Sequence, residues 1–222
     1  MVRQEPISRR DRPSKPALSR AAIVDAALAV IERDGADKLT MRKLAAALDT
    51  GPASLYVYVK NTTELYALLI DRLVAELDLG WDGKEAWRPR LYRVLDDYTA
   101  LLTKHREFAR AAQIVWPDGP HYLDLIELLL RLLTAAGVTR RTAAMAVDLL
   151  LQFATSSAVE RAARFDEDGQ DLDDLIETLE SADPDRHPTV ADFGSAVFVE
   201  GDPLDRRRWA FDVLVAGILA RE

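Results

Sequence analysis

A chain of 222 residues, 49% of them apolar, can bury a sizeable core, either as one large domain or as a small one with a larger one. It contains no cysteine, which excludes disulfides, thiolate chemistry and cysteine-ligated zinc and suits a cytoplasmic protein. The net charge of −8 argues against nucleic acid only until its distribution is considered: residues 1–60 hold 11 Lys and Arg against 7 Asp and Glu, the rest 18 against 30. A basic front and an acidic back is the asymmetry expected when only the front meets phosphates.

The N-terminus has no signal-peptide core, and no uncharged apolar run reaches the roughly 18 residues of a membrane span. The longest candidate, 123–133, is broken by Asp124, Glu127 and Arg131, so no membrane association is expected. Residues 1–18 are polar, with Arg3, Arg9, Arg10, Arg12 and Lys15 among Pro6, Pro13 and Pro16. They read as a flexible arm, either a solvated tail or one that follows the DNA backbone or enters the minor groove.

The first helix is expected over 19–34. Ser19 caps it, Ile23, Ala26, Ala27, Val30 and Ile31 share a face, and Gly35 ends it. A second begins at Thr40, a good N-cap, with Leu44, Ala45 and Leu48 as its apolar stripe, and stops at Asp49-Thr50-Gly51. Asp tolerates the left-handed backbone that a helix end often needs. Pro52 suits the first turn of a third helix, 52–58, with Leu55 and Val59 facing inward. Ala53, Ser54, Tyr56 and Tyr58 then face elsewhere, and small, hydroxyl and aromatic outer residues suit a helix that reads the major groove.

A new N-cap at Asn61-Thr62-Thr63-Glu64 starts a helix to about 79, with Leu65, Leu69, Leu73 and Leu77 at steps of four. Gly80-Trp81-Asp82-Gly83 ends it, dividing a domain over 19–79 from one over 80–222. Helices follow at about 87–104, with Leu91, Leu95, Tyr98, Leu102 and His105 on one face, at 107–115, and at 121–136. A long one over 139–165 is apolar nearly all round in its first two-thirds and should be covered on several sides. Residues 166–185 hold ten Asp and Glu and no Lys or Arg, and read as a loosely held helix or mobile flap. A last helix, 204–220, carries Phe211, Leu214, Val215, Ile218 and Leu219 as one stripe. No strand pattern is evident, so the fold class is all-α: a three-helix helix-turn-helix unit in front of a larger helical domain.

The stretch LTMRKLAAALDTGPASLYVYVKNTTEL, 39–65, resembles the DNA-binding region of the tetracycline-repressor (TetR-like) family, through Thr40, Arg42, Lys43, Leu44, Ala45, Leu55, Tyr56, Tyr58, Val59, Lys60 and Asn61. The match is specific over about 19–75. Beyond it, only the helix order, the His105-Arg106-Glu107 step and the C-terminal stripe are familiar. The sequence departs from the family pattern at Asp49, where Gly is usual, at Gly51, where Ser or Thr is common, and at Thr62, which replaces a Lys that would contact a phosphate. A gapless alignment from His105 puts Ala112 where the tetracycline-binding members use a metal-holding His, so tetracycline–magnesium is not the expected effector.

The resemblance implies a homodimeric, ligand-responsive transcriptional regulator, a repressor by default, on a palindromic operator in double-stranded DNA. Arg42 would reach a guanine edge or a phosphate. Ser54, Tyr56 and Tyr58, beside Ala53, would meet the groove, unless Tyr56 packs on the first helix instead. Lys60 would clamp a phosphate, and Thr40 would cap its helix and touch one. One reading helix covers only a few base pairs, so a pair about 34–36 Å apart is required. The long helix and the last helix would pair with their copies as a four-helix bundle.

For the input, Asp148, Gln152 and Ser156 form a polar stripe on the long helix, to meet a ligand, the other subunit or water. Tyr98, Phe108, Trp116, Tyr122 and Phe153 are candidates for an apolar pocket that suits a hydrophobic or aromatic small-molecule effector. No cofactor or metal is expected. The competing classes are an all-α enzyme and a helical protein-interaction module. Against the enzyme, there is no P-loop, His-Glu-x-x-His, Gly-x-Ser-x-Gly or dinucleotide fingerprint, and His105, His121 and His187 are far apart in sequence.

Overall fold

The computed structural model describes residues 18–166 and 170–221, and all regular structure among them is helical. The elements are α1 (Arg20–Asp34), α2 (Met41–Ala47), α3 (Pro52–Leu55), α4 (Thr62–Val74), α5 (Trp87–Lys104), α6 (Arg106–Ala112), α7 (Pro120–Ala135), α8 (Arg140–Asp166), α9 (Gln170–Glu180), α10 (Pro188–Phe193), α11 (Ala196–Val199) and α12 (Pro203–Leu219). The basic arm expected over 1–18 lies, apart from Leu18, outside the described residues.

The chain forms two compact units, one ending at Leu65 and the other beginning at Tyr66. The division therefore falls inside α4, upstream of the boundary at 79/80 expected from Gly80. The reason is where α4 is anchored. Asp71 is buried and accepts a hydrogen bond from the Tyr122 backbone N–H at 2.9 Å, so this part of the helix belongs to the second unit.

In the first unit the caps do what the sequence indicated. The Ser19 hydroxyl accepts from Ala22 N–H and the Thr40 hydroxyl from Lys43 N–H, each at 3.1 Å. Ile23, Ala27, Val30, Leu44, Leu55 and Val59 form its buried core. Asp49 takes φ 48°, a left-handed conformation that lets the chain leave α2 and turn into α3. The reading helix is shorter than the expected 52–58. Regular α geometry covers only Pro52–Leu55, and the backbone then continues as turns through Tyr58. Val59, buried to 0% exposure, still donates its N–H to the Leu55 carbonyl at 2.9 Å, so the turns keep both side chains on the core.

In the second unit α8 is central, packed against α5, α6, α7 and α12. Leu150, Ala154 and Ala158 on α8 meet a core that includes Leu91, Leu95, Leu102, Leu125, Leu129 and Leu132. By length and composition alone, Arg140–Arg161 could cross a membrane; here its apolar side lies in that core. The cover expected on several sides is incomplete, because Met145 and Leu149 stay exposed.

α4 stops at Val74 rather than at 79. The buried Arg90 guanidinium donates to the carbonyls of Asp78 and Gly80, which draws that segment off the helix path. In the acidic segment α9 forms, with Leu175 exposed. The two short helices α10 and α11 had no signal in the sequence pattern.

Candidate DNA-reading face and effector cavity

The DNA-facing candidates all belong to the first unit and rest on a buried scaffold. Leu55 and Val59 are fully buried, which turns Ala53, Ser54 and Tyr56 outward; Tyr56 is 51% exposed and does not pack away on α1. Tyr58 is half-buried, and its backbone carbonyl accepts from Arg20 Nε at 3.0 Å. Arg20 is a residue the sequence reading missed. Its guanidinium also donates to Glu64 at 3.1 Å, while Glu64 accepts from Lys60 N–H at 2.6 Å and donates its own N–H to Asn61 at 2.8 Å. This network fixes the end of the reading segment to the start of α4. The signal was available as Asn61-x-x-Glu64, a capping-box spacing.

The cations of this unit divide into two groups. Lys43 reaches Asp34 at 2.7 Å and Arg20 reaches Glu64, so both act within the fold. Arg33 and Lys43 together hold the Asp34 carboxyl well below the usual carboxylate range. Among the described residues, no ion pair engages Arg42 or Lys60, and both are exposed. Thr40 is exposed as well as capping α2. These are the groups available to phosphates or base edges.

The second unit contains a cavity of about 490 Å³ between α5, α7, α8 and the segment that follows α6. Six of the eight expected ligand contacts line it: Tyr98, Trp116, Tyr122, Asp148, Gln152 and Ser156. Phe108 and Phe153 do not. Phe108 is buried edge-on against Tyr66 at 5.9 Å, and Phe153 packs edge-on against Phe211 of α12 at 5.1 Å. Both turn to neighbouring helices, because their positions on α6 and α8 face away from the cavity.

The sequence reading missed the second row on α8, Ala144, Val147, Leu151 and Thr155, and the extension of Tyr122 to Ile126 and Leu130 on α7. Both rows continue the recognised positions by steps of three and four, so helical spacing could have found them. Gln113, Val115 and Pro117, on irregular backbone, offered no such signal.

The Tyr98 hydroxyl lies 3.4 Å from that of Thr155. Burial pushes the Tyr98 phenol above its ordinary value. The Tyr122 phenol is raised as well, by burial first and then by its neighbours Tyr98 and Asp148. Both phenols therefore stay neutral donors at physiological pH. Trp116 is 71% exposed and stands at the mouth. Among the described residues, no group of His, Asp and Glu could hold a metal ion.

Comparison with known proteins agrees with this architecture. Residues 23–69 match the bacterial regulatory proteins of the tetR family, and residues 79–221 match the tetracyclin repressor-like C-terminal domain. The chain is 33% identical over 132 residues to the HTH-type transcriptional repressor DrrR1 of Streptomyces coeruleorubidus, a match covering 59% of this chain and 49% of that protein. Thus the match spans about half the length of that relative. The solved structure of SCO7704, a Streptomyces protein described as a transcription regulator, is 46% identical with a TM-score of 0.79, covering 92% of this chain and 96% of that one. ActR from Streptomyces coelicolor, solved in complex with actinorhodin, is 30% identical with a TM-score of 0.82, covering 92% and 98%. With a candidate reading face on one unit, a cavity in the other and both family domains matched along its length, the chain belongs to the TetR family of bacterial regulatory proteins.

Proposed function

We propose that this chain is a ligand-responsive transcriptional repressor that binds a palindromic operator as a homodimer and leaves it when a small hydrophobic or aromatic effector fills the cavity. The observation that carries this reading is the pairing of an exposed candidate reading face at Arg42, Ser54, Tyr56 and Lys60, free of ion pairs among the described residues, with an aromatic-lined cavity of about 490 Å³ in the other unit. ActR, solved with actinorhodin, supports a bulky organic effector. Ala112 lines the cavity at the position expected for a metal-holding His, which speaks against tetracycline–magnesium.

The dimer is inferred from two apolar stripes. Met145 and Leu149 on α8 are 64% and 42% exposed, and Trp209 and Val213 on α12 are 69% and 50% exposed. Each pair is four residues apart on helices that pack side by side, joined by Phe153 and Phe211. Monomers rarely leave such surface in water, and two copies would close it as a four-helix bundle.

Effector binding would favour a state in which the two reading helices no longer match the groove spacing. Selecting operators from a random DNA pool and titrating candidate effectors into the complex tests the proposal. Sequence-selective binding that weakens steeply with salt, and release by a ligand that occupies the cavity, are the expected results. Uniform binding to all DNA, or tight ligands that leave operator affinity unchanged, would overturn it.

A further inference from the structure

We propose that the effector carries a protonated amine on an aromatic body, held by the Asp148 carboxylate; this rests on the reading of the cavity as an effector site. Of the residues lining the cavity, Asp148 alone bears a full charge, and no Lys, Arg or His is among them. Among the described residues, no hydrogen bond or ion pair engages that carboxylate, although Tyr122 lies close enough to feel it. Three aromatic rings share the same space: Tyr98, Tyr122 and Trp116.

The combination discriminates by charge. An ammonium entering the cavity exchanges its water for a carboxylate and for π faces, whose quadrupoles attract cations. A neutral ligand gains only the rings. A carboxylate ligand meets a like charge with no cation to offset it. Because Asp148 is exposed at the cavity wall, water screens the pair and the preference is moderate rather than large, about tenfold in affinity. The neutral phenols of Tyr98 and Tyr122 add donors that orient carbonyl or hydroxyl groups on the aromatic body.

The test uses three matched tricyclic probes on the full chain: 9-(methylaminomethyl)anthracene, its neutral 9-(methoxymethyl) analogue, and anthracene-9-carboxylate, titrated by fluorescence at neutral pH. The amine should bind about tenfold tighter than the ether, with the carboxylate weakest. Asp148→Asn should remove the amine's advantage and leave the ether within about twofold. Asp124→Asn, on the exposed side of α7 and away from the cavity, should keep it, which separates the local contact from the chain's net charge. Equal binding of amine and ether, an advantage that survives Asp148→Asn, or no binding by any probe overturns the proposal. Repeating the titrations on the operator complex separates the two readings. An amine bound through Asp148 that leaves DNA affinity unchanged defeats the repressor-release reading alone; release by the ether as readily as by the amine defeats the charge proposal alone.

Discussion

Gly119 and Asp71 form a contact whose energetic signature can be worked out in advance. α7 begins with Pro120, which has no N–H, behind Gly119, which has no side chain to cap the helix. The cap comes from another helix: Asp71 of α4 accepts the Tyr122 N–H at 2.9 Å. A Cβ added to Gly119 would lie 2.1 Å from the Asp71 carboxyl carbon, which is impossible without displacing the carboxylate. The backbone of Gly119, φ −83° and ψ 168°, otherwise suits alanine. The whole cost of Gly119→Ala therefore passes through Asp71.

Losing such a cap costs roughly 0.5–2 kcal/mol, and forcing a methyl into a filled site typically costs about 1–3 kcal/mol. We expect Gly119→Ala to destabilise by about 2 kcal/mol, which for a unit of this size is roughly 4–8 °C in Tm. Asp71→Ala should cost about 1–2 kcal/mol through the lost cap and the buried N–H it leaves. In the Asp71→Ala background the methyl has room, so Gly119→Ala should then be neutral within about 0.5 kcal/mol. Urea unfolding followed by circular dichroism, at one fixed protein concentration because association adds to stability, measures all four corners of the cycle. If the two single costs simply add, the close approach of Asp71 and Gly119 does not control this junction and the reasoning is wrong.

Three other outcomes follow from the same geometry. Arg42→Ala and Lys60→Ala should each weaken operator binding and each lower the slope of log affinity against log salt by about one, whereas Tyr56→Ala should change which sequences are preferred; unchanged slopes would show that neither cation meets a phosphate. Trp209→Glu, placing a charge on the most exposed apolar residue of α12, should shift the protein to monomer in sedimentation experiments and abolish tight operator binding, and a variant that remains dimeric locates the interface elsewhere. Asp34 is held below the ordinary aspartate value of 3.8 by Arg33 and then Lys43, so its contribution to stability is present above that pH and is lost as pH falls through the lower folded-state value. The Asp34 carboxyl carbon should accordingly remain in its ionised NMR position at about pH 3, and Lys43→Ala should raise its midpoint; a midpoint at the ordinary value in the unmodified chain would refute this.

Much of this molecule follows from local rules acting along the chain. Ser19 and Thr40 cap the helices they precede, Asp49 adopts the left-handed turn, Pro52 opens α3, and Leu55 and Val59 bury, because each outcome is decided within a few residues. Helical spacing likewise placed Tyr98 on its face and Asp148, Gln152 and Ser156 on one stripe, and these converge on one cavity with Tyr122, chosen for its aromatic ring. What spacing leaves open is which neighbour occupies the far side of a helix. Phe108 and Phe153 looked equivalent to Tyr98 until Tyr66 and Phe211 took them. The end of α4 depended on Arg90 reaching back to the carbonyls of Asp78 and Gly80, and the division inside α4 on Asp71 meeting the start of α7 across fifty-one positions of sequence. Capping, turn geometry and amphipathic pattern are short-range and legible in the chain; helix length, the lining of the cavity and the placing of buried charge depend on long-range contacts, and only tertiary packing decides them.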